Sequence, residues 1–298
     1  MKIKEKESKH FNIGGFYLSI YNVECAFDID ELLPSFKTFS VQEEKGKLFQ
    51  LTIKDSLQPI AASDKNRIRS IDTGNGDTIV DRIRSGGYQF IIKDIDNRPC
   101  CLLQTNEDFS ICICALNGNK SMRSFGLNNA LMLIFAFAGC KHGALLLHAS
   151  SIQYKENGYA FVAKSGTGKS THSSMWLQHI KRCDLVNDDT PILRLENNKF
   201  YIYGSPWSGK TPCYRKIKVP LKGLIKIERS KCNSISRLSP AIAFATILPC
   251  CSSMVWDDII FDAICNILKH VVEIVPIYKL RCLPNEESAL VCMNVITK

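Results

Sequence analysis

The segment FVAKSGTGKSTH, which runs from Phe161 to His172, constrains the fold of this chain more than any other stretch of its sequence. The apolar run GYAFV comes directly before the glycines, and a segment with helical character follows them. Glycine allows a tight turn at this point. The amides of such a turn point inward at a bound anion, and the helix that follows presents its positive N-terminal end to the same anion. The segment therefore predicts a strand, an anion-binding loop and a helix in succession, which is an α/β arrangement.

The loop differs from the phosphate-binding pattern G-x-x-x-x-G-K-[ST] at its first position, where Ala163 replaces glycine. We expect this difference to be mild, because a methyl group is tolerated at the end of the strand if φ is negative there. Lys169 is expected to reach the β- and γ-phosphates of a nucleoside triphosphate, Ser170 to hold Mg²⁺ and Thr171 to contact the α-phosphate. The residues assigned to nucleotide binding are Ser165, Gly166, Thr167, Gly168, Lys169, Ser170 and Thr171.

Two adjacent carboxylates, Asp188 and Asp189, follow Lys169 by nineteen and twenty residues. The interval accommodates one short helix and one strand, so we expect the pair beside the loop at the carboxyl edge of the sheet. One carboxylate can then help to hold the metal while the other accepts a proton from an attacking hydroxyl. We assign Ser170 and Asp188 to the metal and either aspartate to the base. A solvated turn is the alternative, since N-D-D-T-P is common turn composition.

Two further residues, His148 and Lys210, complete the predicted catalytic set. His148 ends the apolar segment LLLH, where a histidine is either a satisfied core or edge residue or a catalytic group. Lys210 ends the segment GSPWSGK, which begins at Gly204. This segment is either a β-turn with Trp207 packed beneath it or a mobile flap that brings Lys210 over the γ-phosphate, and the sequence leaves both open.

The chain is expected to have two domains. Residues 1–115 alternate short apolar runs with turns such as Gly74–Asp77 and Asp96–Arg98, which predicts a β-rich domain, and this part carries no catalytic signature. Residues 116–298 begin with an apolar helix at Ser124–Lys141 and then alternate strands with helices, which predicts the catalytic α/β domain around the loop.

Composition favours an ordinary globular protein of the cytoplasm. Of the 298 residues, 45% are hydrophobic and 22% are charged. The N-terminal segment MKIKEKESKH lacks the apolar core of a secretion signal, and the longest apolar run, Ala130–Cys140, is too short to span a bilayer. The fourteen cysteines show no paired C-x-x-C spacing, which favours reduced thiols in the core over a zinc site.

A basic segment, residues 199–232, carries nine lysines and arginines against the single acid Glu228. Most of these side chains are expected to be solvated, but together they would also attract phosphate or an acidic partner. Nucleic acid is disfavoured, because no recognition-helix pattern and no interleaved aromatic residues accompany the charge. The sequence also lacks a guanine-binding N-K-x-D element, which disfavours a regulatory GTPase.

In combination, four motifs resemble the HPr kinase/phosphorylase-related family, and in particular its serine kinase-like branch found with peptide biosynthesis. The motifs, within residues 124–295, are H-A-S at His148, the glycine loop, N-D-D-T at Asn187 and G-S-P-W-S-G-K at Gly204. The resemblance implies a P-loop core of the HPr kinase/phosphoenolpyruvate carboxykinase type, which transfers phosphate from ATP or pyrophosphate to a serine hydroxyl. It also implies that His148 lies near the phosphates. The glycine-rich signature by which HPr kinases recognise their carrier protein is not visible here, so HPr itself is disfavoured as the substrate.

The sequence therefore predicts a kinase that uses ATP and Mg²⁺ and phosphorylates a hydroxyl, most naturally a serine of an acidic peptide or small protein. A phosphorylase or phosphatase, which would run the chemistry backwards, is one alternative. A non-catalytic, nucleotide-gated peptide-binding module is another. No membrane partner is expected, and a homo-oligomer stays open.

Overall fold

The computed structural model describes residues 7–24, 27–42, 46–72, 76–209 and 211–297. The chain is a mixed α/β protein with two large sheets, and its contacts divide it into two compact units, Met1–Ala138 and Gly139–Lys298. Contact units need not be independently folding domains, so the division predicted at residue 115 stays a prediction. Among the described residues, no helix has both the length and the apolar character needed to cross a membrane.

In the part of it that the structure describes, the first unit consists of strands, two helices and short 3₁₀ turns. Its elements are β1 Glu7–Ile13, β2 Phe16–Asn22, α1 Ile29–Leu32, β3 Ser40–Val41, β4 Lys47–Ile53, β5 Lys65–Asp72, β6 Asp77–Ile83, β7 Tyr88–Lys93, β8 Pro99–Thr105, β9 Ile111–Leu116 and α2 Lys120–Cys140, which continues into the second unit. The strands form one sheet in the order β3-β1-β2-β4-β9-β8-β7-β6-β5.

Strand character is predicted well in this sheet where the strands are apolar and poorly where they are polar. The run FNIGGFYLSIY forms the β1–β2 hairpin, whose turn glycines, Gly14 and Gly15, have φ values of 58° and 79°. The turn expected at Asp96–Arg98 is present, while the first two residues of the turn expected at Gly74–Asp77 lie outside the described residues. The sequence does not predict β5, because this edge strand is polar and largely exposed and so lacks an apolar alternation.

Helix α2 covers the sheet of the first unit. It begins four residues before the predicted Ser124, because the Asn119 side chain accepts a hydrogen bond from Met122 N at 3.0 Å and caps the helix. Gly126 is required by close packing: a Cβ atom at this position would lie 2.8 Å from the carbonyl oxygen of Cys100. Further along, the ring of Phe137 packs against that of Phe109.

The second unit contains the loop. Its elements are β10 Ala144–Leu146, β11 Ala149–Tyr154, β12 Asn157–Val162, α3 Lys169–His179, β13 Cys183–Asp189, β14 Ile192–Glu196, β15 Lys199–Tyr203, β16 Lys218–Arg229, β17 Ser234–Arg237, α4 Pro240–Ile247, α5 Asp258–Ile274, β18 Ile277–Cys282 and α6 Glu286–Ile296. The main path of the sheet is β10-β14-β15-β16-β12-β11-β13, and β18 pairs with both β16 and β17.

Helices α3 and α6 pack on the face of this sheet that carries Tyr159, Phe161, Ile225 and Leu280, and Trp176 of α3 is fully buried there. Burial of these large apolar side chains fixes α3, and with it the loop that leads into α3, against the sheet.

The run VEIVPIYKL, from Val272 to Leu280, has the apolar, β-branched composition of a single strand, but the structure divides it between α5 and β18. In the structure α5 continues to Ile274, and the strand starts only at Ile277. A buried stripe of helical spacing that reaches Val271 explains the longer helix, and Pro276 prevents it from continuing.

Candidate functional site

Three strands of the second unit bring the candidate residues to one edge of the sheet. β11 lies between β12 and β13 and is antiparallel to both. Ala149, at the start of β11, pairs with Val162 on one side and with Asp189 on the other. β12 and β13 therefore run in the same direction, so their carboxyl ends lie at the same edge as His148, which directly precedes β11. The order of the motifs along the chain does not show that β11 lies between β12 and β13 in the sheet.

The glycine loop joins β12 to α3. Gly166 and Gly168 have φ values of 73° and 124°, which side-chain-bearing residues rarely adopt, so both positions require glycine. Ala163 is buried (2% exposed) and does not belong to the positive-φ residues of the described chain, so its methyl group is compatible with the loop backbone. Residues 164–166 and Thr171 are exposed and therefore accessible to a ligand.

Lys169 points inward beneath the loop and is only 8% exposed. Its Nζ lies 2.7 Å from His148 Nε2 and 3.2 Å from the carbonyl oxygen of Ala163. Burial lowers the pKa of Lys169 from its ordinary value, and the nearby charge of Asp189 opposes this effect. An ammonium group has three N–H donors, so these two acceptors leave one donor for a phosphate oxygen.

His148 connects Lys169 with Asp189. Burial, followed by the charge of Lys169, lowers the pKa of His148, while Asp189 acts in the opposite direction. A neutral ring accepts from Lys169 at Nε2 and carries its proton on Nδ1, which lies 3.4 Å from Asp189 Oδ1. The result is a row of a cation, a neutral imidazole and an anion along the edge of the sheet.

Asp188 is buried (3% exposed), and its Oδ1 accepts a hydrogen bond of 2.8 Å from Ser170 Oγ. Its Oδ2 is also buried and has no hydrogen-bond partner among the described residues. Leaving such an oxygen unsatisfied costs about 1–3 kcal/mol or more, which a cation at this atom would offset. Carboxylate and hydroxyl oxygens are the donors that Mg²⁺ prefers, so Asp188 and Ser170 fit a magnesium contact.

Asp189 differs from Asp188 in its accessibility, since its side chain is 41% exposed. Its φ of 129° is uncommon for a residue other than glycine. The Oδ2 atom accepts a hydrogen bond of 3.0 Å from Thr190 Oγ1, and Oδ1 faces His148. The two neighbouring carboxylates therefore have different surroundings: one is buried beside the loop serine, and the other is accessible to solvent.

The backbone that carries the acidic pair is fixed by Asn187, whose role the sequence analysis did not identify. Asn187 is fully buried, and its Nδ2 lies 3.2 Å from Ser205 Oγ and 3.0 Å from the carbonyl oxygen of Trp207. Its Oδ1 accepts from Thr190 N at 2.9 Å. The only signal in the sequence is the asparagine of N-D-D-T itself, because the partners of its Nδ2 atom, Ser205 and Trp207, are 18 and 20 residues further along the chain.

The segment that begins at Gly204 packs against the end of β13. Trp207 is buried (3% exposed), and Ser208 Oγ donates to the carbonyl oxygen of Asp188 at 3.0 Å. The amide of Gly209 donates to the same carbonyl oxygen. Lys210, to which the sequence assigned a catalytic role, lies outside the described residues.

Arg229, at the end of β16, is a further residue that was not singled out for the site. Its Nε donates to the carbonyl oxygen of Thr167 at 3.1 Å, and its Nη2 donates to that of Gly166. The guanidinium therefore holds the outer side of the loop. In the sequence Arg229 is visible only as one cation of the basic segment, 62 residues after Thr167 of the loop.

The chain was compared with family models, curated proteins and solved structures. No family model and no curated protein matches it. Among solved structures, the Hpr(Ser) kinase/phosphatase from Coxiella burnetii is similar to it at 11% sequence identity and a TM-score of 0.31, over 51% of this chain and 93% of that chain. A likeness at this level establishes neither a family nor an activity.

Proposed function

We propose that this protein is an ATP-dependent kinase that transfers the γ-phosphoryl group to a hydroxyl, most naturally a serine of a peptide or small protein. One observation carries the proposal: a glycine loop, a buried lysine and two carboxylates with different exposure meet at one edge of a sheet. Loop amides and a lysine suit a polyphosphate, and paired acids suit a metal and a proton.

The phosphate chain would lie on the amides of the loop at the N-terminal end of α3. There the helix end favours negative charge, and the third N–H of Lys169 would be available to phosphate oxygens. Asp188 and Ser170 would hold Mg²⁺, which neutralises phosphate charge when it is bound.

Asp189 is the residue that would accept the proton of the attacking hydroxyl. It is the exposed member of the pair, and His148 and Thr190 orient its two oxygens. His148 in turn separates this carboxylate from the ammonium of Lys169, so that both charged groups keep their positions. Catalysis then consists mainly of positioning and charge neutralisation.

The proposed preference for an acidic substrate follows from the basic segment. Arg215 and Lys216 are exposed a few residues after the segment that packs on Asp188. Cations at this place would attract an acidic peptide toward the site and raise its rate of association.

The test uses the full chain and measures ATP binding and phosphoryl transfer separately. Calorimetry with ATP and Mg²⁺ measures affinity, and γ-labelled ATP with a lysate of the host, followed by mass spectrometry, identifies the phosphorylated species. Asp189→Asn is the informative variant, because asparagine tolerates positive φ but is not a base. We expect transfer to fall by about 10²–10⁴-fold while the affinity for ATP changes little.

Asp184→Asn is the matched control, since Asp184 is an exposed aspartate on the same strand. It should leave transfer unchanged. Normal transfer by Asp189→Asn would remove the base assignment, and failure of the unsubstituted chain to bind ATP would refute the proposed function. Net release of phosphate from a phosphorylated substrate, without transfer from ATP, would favour a phosphatase instead.

A further inference from the structure

A cavity of about 490 Å³ lies beside the loop in the second unit, away from the two carboxylates. One wall is formed by Thr167, Gly168 and Thr171, at the point where the loop enters α3. The other walls come from two neighbouring strands and the residues that follow them: Ile227, Arg229 and Ser230 at the end of β16, and Cys282, Leu283 and Pro284 at the end of β18. Its volume falls within the usual range for small-molecule sites, about 300–1,000 Å³.

The cavity lies at the end of the loop where the nucleoside of a bound triphosphate is expected. Lys169 and Ser170 mark the β- and γ-phosphate end, because a loop lysine reaches those phosphates and the adjacent hydroxyl holds the metal. That end faces Asp188 and His148, as the distances above show. The α-phosphate then lies near Thr171, and whatever is attached to it extends toward the cavity.

The chemistry of the walls suits a flat, weakly polar group. Ile227, Leu283 and Pro284 supply apolar surface, and Leu283 is 38% exposed at the rim. His172 adds an imidazole ring to the wall. The guanidinium of Arg229 offers a plane that stacks on aromatic faces.

We infer that this cavity holds the ribose and base of the phosphoryl donor, so that the donor is a nucleoside triphosphate rather than pyrophosphate. The inference rests on the proposed function and specifies its donor. Arg229 has two roles: it lines the cavity, and its hydrogen bonds to the carbonyl oxygens of Gly166 and Thr167 fix the loop. Arg229 is thus a positioning residue for the phosphates.

The test compares ATP with inorganic tripolyphosphate, which has the same chain of phosphates and no nucleoside. Both are titrated into the full chain with Mg²⁺ by calorimetry. ATP should bind at least ten-fold more tightly than tripolyphosphate. Ser230→Phe, which fills the cavity, should lower the affinity for ATP at least ten-fold and change the affinity for tripolyphosphate less than two-fold. Leu283→Trp enters from the exposed rim and should have the same selective effect, so the test does not depend on the folding of one variant.

Two further variants complete the design. Ser236→Phe places the same side chain at an exposed site on β17 and should change neither affinity. Arg229→Ala should lower the affinity for both ATP and tripolyphosphate, because the loop loses the two hydrogen bonds that Arg229 donates to it. Equal affinities of the unsubstituted chain for ATP and tripolyphosphate, or equal losses for both in the filled variants, would overturn the cavity assignment. Unchanged tripolyphosphate binding in Arg229→Ala would overturn its positioning role. Failure of both probes to bind the unsubstituted chain would instead refute the proposed function.

Discussion

Lowering the pH from 7 to 5 should destabilise the unit that contains the loop, because His172 is neutral in the folded chain. His172 lies in the first turn of α3, is 3% exposed, and accepts a hydrogen bond of 3.1 Å from Trp176 Nε1 at its Nε2. Its ring also packs edge-on against Phe161, with the centroids 4.7 Å apart. Protonation would place a charge in this apolar contact and remove the acceptor of Trp176.

The magnitude follows from the two pKa values. Burial lowers the pKa of His172 from 6.5 to about 4. Below pH 6.5 the unfolded chain binds a proton that the folded chain does not bind, so the free energy of unfolding falls as the pH falls and levels off below about pH 4. The full difference corresponds to about 3 kcal/mol, of which about 2 kcal/mol is lost by pH 5.

The assay is urea unfolding at pH 7 and pH 5, followed by tryptophan fluorescence, in the unsubstituted chain and in His172→Gln. Glutamine keeps an acceptor for Trp176 but does not titrate, so the difference between the two chains isolates His172 from other groups. His270→Gln, at an exposed histidine of α5, controls for the removal of an imidazole elsewhere. An equal loss of stability in the unsubstituted chain and in His172→Gln between pH 7 and pH 5 would refute the reasoning.

Three further outcomes test the loop and the acidic pair. Gly168→Ala should weaken ATP binding and lower the free energy of unfolding by about 1–3 kcal/mol, because alanine is strained at a φ of 124°. Thermal melts with and without ATP measure both effects. The control variant, Ala163→Gly, should differ little from the unsubstituted chain. Asn187→Ala should cost about 1–3 kcal/mol in urea unfolding, because buried partners lose their hydrogen bonds, and an unchanged midpoint would contradict its structural role. Asp188→Asn should raise the Mg²⁺ concentration needed for tight ATP binding at least ten-fold, whereas the control Asp184→Asn should not. Calorimetry with ATP over a range of Mg²⁺ concentrations measures this difference between the variants.

The parts of the fold that sequence reasoning predicts are those whose signal is local. The loop between β12 and α3 is an example, because the glycines, the apolar strand before them and the helix after them lie within one short segment. The apolar strands β4 and β8 are predicted for the same reason. β5 is not, because an exposed edge strand needs no apolar alternation and is held by pairing with β6 instead.

The arrangement of the candidate site depends on contacts between distant segments, and these were only partly foreseeable. The sequence places Asp188 and Asp189 near the loop from their spacing, but it does not show which of them is buried. That difference comes from Ser170 and from the segment containing Ser208, which pack on Asp188 and leave Asp189 exposed. Arg229 was missed as a contact of the loop because only the pairing of β16 with β12 brings it there.

The position of β11 between β12 and β13 has a consequence for how such a chain can vary in length. The tip of the β11–β12 hairpin, residues 155–156, lies at the far end of the strands, so added residues there would lengthen the hairpin and leave the edge with His148 in place. One residue added between His148 and Ala149 would shift the histidine away from Lys169, and a one-residue slip of β11 would turn all of its side chains to the opposite face. Natural insertions and deletions should therefore collect at the hairpin tip and avoid the start of β11.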